Sequence, residues 1–147
     1  MLTITGELTD VVEVTRDLKV TGTVSAGANI APGKHLVVVG AAIGRFVLED
    51  DAYLTINGSF TGEIVDSDGL TTISGMAVVN PGNVPGELAI GVGSLVVTDD
   101  GRFRLNRDGT LSEVFDDGQT LSLDVNTTEV CDYDPDLGIF VSLNVDR

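Results

Sequence analysis

Apolar residues recur at every sixth position along much of this chain, and a strict six-residue period is compatible with few folds. The unbroken series contains Val12, Leu18, Val24, Ile30, Leu36, Ala42, Leu48, Leu54 and Phe60. The phase lapses at Asp66 and Thr72, then resumes at Val78, Val84, Ile90 and Val96. Since apolar residues make up 42% of the chain, nine consecutive matches indicate a genuine repeat.

A longer repeat contains the shorter one. The motif Leu-x-(Ile/Val)-x-Gly begins at Leu2, Leu18 and Leu54, and a looser version begins at Leu36. With one gapped residue, the whole stretch 36–60 aligns with the N-terminal residues. Related apolar runs begin at Leu70 and Leu88, which makes the successive spacings 16, 18, 18, 16 and 18 residues.

Both periods together predict a parallel β-helix of 16–18 residues per coil. Each six-residue segment comprises a short strand and a corner, after which a side chain again points to the interior. Three such segments make one coil. Coils then stack about 4.8 Å apart, and inward side chains form ladders of like residues. Gly and Asn residues are expected at the corners, where positive φ is needed: Gly22, Gly27, Asn29, Gly33, Gly40 and Gly58. We expect five to six coils between residues 2 and 98.

After Thr98 the pattern changes to paired strands separated by turn residues. The first predicted hairpin joins Leu95–Thr98 to Arg102–Leu105, with Asp-Gly in its turn. The second spans residues 110–125 around Asp116-Asp117-Gly118-Gln119, and the third spans residues 129–145 around Asp134-Pro135-Asp136. We expect an all-β single domain over residues 1–147, in which the antiparallel meander of residues 99–147 caps the solenoid of residues 1–98. The turn-rich stretch 80–86 is interpreted as an enlarged corner.

The composition limits the classes of partner. A formal charge of −15 argues against nucleic acid and anionic membranes, and favours a basic protein partner, cations or solubility alone. Residues 99–147 contain twelve of the 23 acidic residues, so the acidity is concentrated there. With one cysteine, no apolar run of membrane-spanning length and no signal-like segment, we expect a cytoplasmic protein, in which the sequons at Asn57 and Asn126 are accidental.

The coils LTITGEL, LKVTGTV and LTINGSF resemble those of the bactofilin, or polymer-forming, β-solenoid family, and more loosely those of left-handed hexapeptide-repeat proteins. The resemblance covers about two thirds of the chain and implies a non-enzymatic scaffold that polymerises by stacking solenoid ends. This chain departs from the family pattern in lacking flexible tails and in carrying the meander of residues 99–147. A cap at that end conflicts with end-to-end polymerisation.

His35 is the candidate catalytic base, because hexapeptide-repeat acyltransferases use a histidine at a subunit interface. The alternative is a solvated corner residue beside Lys34, and we favour it. Carboxylate clusters at Glu49-Asp50-Asp51 and Asp116-Asp117 suit acid/base work on a sugar, but turns attract Asp for hydrogen-bonding reasons alone. No nucleophile elbow, Walker loop or dinucleotide fingerprint occurs. We expect no enzyme and no cofactor.

Asp132, Asp134 and Asp136 alternate as in calcium-binding loops. An EF-hand needs Gly at its sixth position and Glu at its twelfth, where this chain has Leu137 and Leu143. An acidic hairpin turn is therefore the preferred interpretation of this weak calcium candidate. Cys131 lies in an apolar run and is interpreted as a small core residue.

The sequence favours a non-catalytic protein-interaction module, in one of two versions. The first is a bactofilin-like, self-associating scaffold or a generic solenoid binding protein. The second is an acidic inhibitor or immunity-type protein that covers the basic site of a toxin or nucleic-acid enzyme. Its contact face would comprise Asp116, Asp117, Asp132, Asp134 and Asp136. An acyltransferase or sugar-active enzyme is a further alternative.

Overall fold

The computed structural model describes residues 2–114 and 126–142 of the chain. The described residues form a β-solenoid of about five coils, followed by antiparallel strands. The only helical element among them is a short 3-10 turn at Pro81–Asn83. The solenoid predicted from the six-residue period is therefore confirmed.

One long strand from each coil enters the larger sheet. Its parallel strands are β1 (Leu2–Leu8), β3 (Leu18–Val24), β5 (His35–Ala42), β7 (Tyr53–Phe60), β9 (Leu70–Val78), β10 (Glu87–Val92) and β11 (Leu95–Thr98). In the last coil the strand is interrupted, so that β10 and β11 both pair with β9. The larger sheet therefore follows the solenoid axis from end to end of the coils.

Short strands form a second parallel sheet. They are β2 (Val12–Val14), β4 (Gly27–Ile30), β6 (Arg45–Leu48) and β8 (Glu63–Ser67). The apolar side chains of the two sheets meet between them and form one continuous core. Eight of the nine residues in the unbroken six-residue series are buried in it, and Val12 is half-buried because it belongs to the first coil.

The coil-to-coil register follows the leucines as far as the fourth coil and then shifts. Leu18 pairs with Leu36, and Leu36 pairs with Leu54. The sequence spacing aligns Leu54 with Leu70, and this alignment is wrong, because Leu54 pairs with Thr71. A β-bulge in β8 adds one residue, and the corner that follows β8 is shorter than the corner after Leu48. The coil step becomes 17 residues, from Gly58 to Gly75 and from Leu70 to Glu87.

This shift accounts for the residues at which the six-residue series fails. The six-residue series assigns Thr72 and Val78 to the core. Instead, the neighbours Thr71 and Ile73 are buried, and Val78 is 37% exposed. Ile90 and Val96 return to the core after the interruption between β10 and β11.

Of the glycines predicted at corners, Gly33 lies in the corner between β4 and β5 and Gly27 begins β4, whereas the other three lie within strands. Gly22, Gly40 and Gly58 have φ of 141°, 140° and 146°, and they stack on one another in β3, β5 and β7. A Cβ on Gly40 would lie 1.9 Å from the carbonyl oxygen of Gly22, so the close approach of the coils excludes any side chain. Asn29 is likewise a strand residue, and its Nδ2 donates to Glu13 Oε1 of the preceding coil at 2.9 Å.

The C-terminal edge of the larger sheet is covered by antiparallel strands, as predicted. These are β12 (Gly101–Leu105), β13 (Leu111–Glu113), β14 (Asn126–Asp134) and β15 (Ile139–Ser142). Strand β12 pairs with β11, and β14 pairs with β10, so both halves of the last coil have a partner. The first and third predicted hairpins are present, although Thr98 pairs with Gly101 and the first turn is Asp99-Asp100. Of the second hairpin only β13 is described, and residues 115–125 lie outside the described ranges.

Candidate functional site

The N-terminal end of the solenoid leaves two strand edges without a partner among the described residues. Strand β1 ends the larger sheet and β2 ends the smaller one. Ile4, Leu8 and Val12 pack against the core but are only half-buried, because β1 and β2 are the outermost of the described strands at this end. Leu2 and Val11 are 47% and 53% exposed. Unpaired edges beside exposed apolar side chains invite strand pairing with another chain.

The hydrogen-bonding groups on this edge can be assigned to individual residues. The amide N–H of Leu2 donates to the carbonyl of Asp17 at 3.1 Å. In a parallel ladder the bonding residues alternate, so the even-numbered residues of β1 bond to β3. Thr3, Thr5 and Glu7 therefore direct their backbone groups to the open edge.

A cleft of about 600 Å³ lies at the opposite end of the molecule, within the capping strands. One wall is the corner at Asn80–Asn83, and the other two are the hairpins β12–β13 and β14–β15. Its apolar surface comes from Phe103, Leu111, Tyr133, Ile139 and Phe140. A volume of this size is typical of sites that bind a small ligand or several side chains.

Specific contacts hold the walls of the cleft together. Asn80 Nδ2 donates to Asp99 Oδ2, and the Asp99 amide donates back to Asn80 Oδ1, both at 3.1 Å. This reciprocal pair fixes the corner to the first hairpin turn. On the other side, the rings of Tyr133 and Phe140 pack edge to face at 5.2 Å. The cleft is thus built by contacts between elements distant in sequence.

The polar lining of the cleft is acidic and amide-rich. Asp100 and Asp108 contribute carboxylates, and no lysine, arginine or histidine occurs among the described lining residues. Thr110 donates to Asp108 Oδ1 from its hydroxyl at 2.6 Å and from its amide at 3.0 Å. These hydrogen bonds lower the pKa of Asp108, so its carboxylate stays ionised further into the acidic range than usual.

The predicted acidic triad does not converge on a common point. Asp134 Oδ1 accepts from the amides of Asp136 and Leu137 at 2.9 and 3.2 Å, which makes it a turn-stabilising group. Asp132 lies on β14 near Glu87, and desolvation together with the Glu87 charge raises its pKa. The described residues contain no group of three or more acidic, His or Cys side chains arranged to hold a metal ion. Asp116 and Asp117, the rest of the predicted contact face, lie outside the described residues.

His35 lies at the start of β5 and is half-buried rather than solvated. Its Nε2 is 2.7 Å from Thr55 Oγ1, and its ring packs edge to face on Tyr53 at 5.8 Å. Burial lowers the pKa of His35, and the nearby charge of Asp17 partly opposes the effect. Asp17 Oδ1 accepts from the backbone amide of His35 at 3.1 Å. The imidazole is therefore engaged within the sheet surface.

Two other candidates have local structural roles. Glu49, Asp50 and Asp51 are exposed at the corner between β6 and β7, where Asp51 has a φ of 58°. Cys131 is fully buried in the core, as predicted, and its Sγ lies 3.9 Å from the carbonyl oxygen of Asn106.

No local sequence pattern marks the cleft. In the sequence Asp100 is a turn residue, and Phe103, Asp108 and Leu111 belong to no recognisable functional motif. The one available signal is the density of turn residues at 80–86, which marks the enlarged corner that forms one wall. The pairing of this corner with two later hairpins has no local signature, because the contacts join residues 19 or more positions apart.

In the part of the chain that the structure describes, no helix is long and apolar enough to cross a membrane. Comparison with protein-family models, with curated proteins and with solved structures finds no match to this chain.

Proposed function

We propose that this chain is a non-catalytic protein-interaction module that pairs with a second copy of itself through the N-terminal end of its solenoid. The observation that carries the proposal is the difference between the two ends of the larger sheet. At the N-terminal end β1 has no outer partner among the described strands, whereas β10 and β11 are covered by β14 and β12. Pairing through one end alone produces a closed dimer and no filament.

An antiparallel pairing of two β1 strands centred on Thr5 is chemically self-consistent. It places Leu2 opposite Leu8 of the second copy, and it extends the core across the junction. It also places Thr3 opposite Glu7, so that no like charges face each other directly within the strand. The half-exposed Ile4 and Leu8 would become buried, which supplies an apolar driving force.

Charges around this end make the proposed pairing dependent on salt. Four carboxylates near the junction, those of Glu7, Asp10, Glu13 and Asp17, outnumber the two cations Arg16 and Lys19. The Glu13 carboxylate bonds to Asn29 of the next coil, which draws it away from the open end. Added salt screens the remaining repulsion and should strengthen the dimer.

The engagement of His35 with Thr55 supports the non-catalytic part of the proposal. A general base needs a ring nitrogen that faces a substrate in a pocket. His35 does not line the cleft within the capping strands, and the partners of its ring are Thr55 and Tyr53 on the neighbouring strand.

Substitution of Thr5 separates edge pairing from other modes of association. Thr5→Pro removes the edge amide without removing a hydrogen bond to β3, and Thr5→Val keeps that amide and serves as the matched control. Sedimentation velocity in moderate salt should show a dimer for the wild type and for Thr5→Val. It should show a monomer for Thr5→Pro, with unchanged circular dichroism.

Three results would contradict the proposal. They are a wild type that stays monomeric at the highest soluble concentration, a Thr5→Pro variant that dimerises as the control does, and filaments under the electron microscope.

A further inference from the structure

The cleft within the capping strands carries an inference that is independent of pairing at the other end. Three aromatic residues line it, Phe103, Tyr133 and Phe140, in a chain that has only seven Phe and Tyr residues, and Phe140 is buried with its ring packed on Tyr133. Phe103 and Tyr133 are half-buried, and Leu111 and Ile139 are exposed at 39% and 52%. The residues that would bury a ligand are thus accessible from solvent.

The charges that line the cleft favour a positively charged ligand. Asp100 and Asp108 lie on its lining, and the described lining contains no basic side chain to neutralise them. The whole chain carries a formal charge of −15, so the surrounding field adds to the local preference for a cation. Carboxylates beside aromatic faces are the combination that recognises guanidinium and ammonium groups, through ion pairing and cation–π contact.

The cleft is also preorganised. Thr110 holds the Asp108 carboxylate by two hydrogen bonds, and the reciprocal Asn80–Asp99 pair fixes the neighbouring wall. Gly82 lies against the Tyr133 hydroxyl, where an added Cβ would be 3.5 Å from that oxygen. A ligand therefore meets a formed site and does not have to order these groups on binding.

We propose that this cleft binds an arginine- or lysine-bearing segment of a protein partner. The half-buried rings of Phe103 and Tyr133 receive the cationic group and its aliphatic stem, and Asp100 and Asp108 pair with its charge. Asn83 on the opposite wall offers its side-chain amide to the backbone of the bound segment. The volume of about 600 Å³ accommodates a few residues of an extended chain and excludes a folded domain.

A peptide titration followed by NMR tests the inference. The probe is a capped Gly-Arg-Gly-Arg-Gly peptide, and the same peptide with citrulline in place of arginine keeps the shape and removes the charge. We expect the arginine peptide to shift the amide signals of Gly109 and Gly138, and to bind about tenfold more tightly than the citrulline peptide.

Two double variants distinguish peptide binding in the cleft from attraction by the overall negative charge of the chain. The double variant Asp100→Asn/Asp108→Asn should weaken peptide binding about tenfold. The double variant Asp50→Asn/Asp68→Asn changes the net charge equally at exposed sites on the solenoid, and it should leave binding within about twofold of the wild type. The Thr5→Pro variant should bind the peptide normally, which keeps this test distinct from that of dimerisation.

Several outcomes would overturn the inference: equal loss of binding in the two double variants, equal affinity for the citrulline peptide, or shifts confined to signals outside the cleft. Tighter binding of spermidine than of the arginine peptide would assign the cleft to a free polyamine. Stronger shifts with a neutral oligosaccharide such as maltotriose would assign it to a sugar.

Discussion

At the scale of single residues, the stack of glycines through the larger sheet sets how closely the coils approach. Gly22, Gly40, Gly58 and Gly75 occupy one column, and each would direct a Cβ onto the backbone of the preceding coil. Gly6 is the first residue of the same column, and no atom lies within 4 Å of its virtual Cβ. The column therefore contains its own control, since Gly6 shares the positive φ without the close contact.

In the Thr5→Pro background, in which β1 should not pair with a second copy, Gly40→Ala should cost about 2 kcal/mol more of unfolding free energy than Gly6→Ala. Both variants place a side chain at positive φ and are strained there, but only Gly40→Ala forces a methyl group onto the Gly22 carbonyl. Urea denaturation of the two proteins measures the difference. Equal costs would mean that the coils separate without penalty, and the packing argument would be wrong.

Thr71 is a polar side chain within a ladder of apolar core residues. It is fully buried on the rung formed by Leu54 below and Leu88 above. Its Oγ1 has no hydrogen-bond partner among the residues that the structure describes. An unsatisfied buried hydroxyl destabilises a protein by about 1–3 kcal/mol.

Thr71→Val should accordingly raise the free energy of unfolding by about 1 kcal/mol, because it removes the hydroxyl and keeps the branched shape. Thr72→Val, on the half-buried outer face, should change stability by less than about 0.5 kcal/mol. Thermal and chemical denaturation of both variants check the pair. A destabilised Thr71→Val protein would show that the hydroxyl has a partner after all.

At the scale of elements, the break between β10 and β11 changes how the last coil stacks on β9. Ile73 pairs with Ile90, and Met76 pairs with Leu95, so two extra residues are accommodated between these pairs. Ser94 lies in this break and is fully buried. Its Oγ accepts from the amide of Gly75 at 3.0 Å, in place of a strand carbonyl.

Ser94→Ala should lower the free energy of unfolding by about 1–3 kcal/mol, because the partly buried Gly75 amide would lose its acceptor. Ser94→Thr, which keeps a hydroxyl, should retain part of that stability if the added methyl group fits. Amide hydrogen exchange at Gly75 gives a second measure. Unchanged protection in Ser94→Ala would contradict the assigned hydrogen bond.

At the scale of the whole molecule, the formal charge of −15 is large, because 23 acidic residues stand against eight lysines and arginines. The structure places one salt bridge among the described residues, between Arg45 and Glu63 at 3.6 Å, and both of its side chains are mostly exposed. Such a pair contributes little stability. Self-repulsion among the carboxylates therefore destabilises the compact state.

The melting temperature of the Thr5→Pro variant should rise as NaCl is increased from about 0.1 M to about 1 M, over which the Debye length falls from about 10 Å to about 3 Å. This variant is the suitable protein, because its stability should not depend on dimerisation. Differential scanning calorimetry measures the shift. A melting temperature that stays constant or falls would show that repulsion does not limit the stability of the folded chain.

The repeat determined the solenoid because a six-residue period of inward apolar residues is satisfied only by coils that stack in register, and Leu18, Leu36 and Leu54 do so. The turn residues likewise determined two of the hairpins. The register of Thr71 was decided by tertiary structure, since the shorter corner after β8 removes more residues than the bulge in β8 adds. The lapse of the six-residue series at Asp66 and Thr72 marks this change in the sequence, but it does not identify Thr71 as the residue that enters the core. The formation of the cleft was also decided by tertiary structure. Asp100, Asp108 and Tyr133 are distant in sequence, and only the folding of two hairpins against one corner brings them to a common surface.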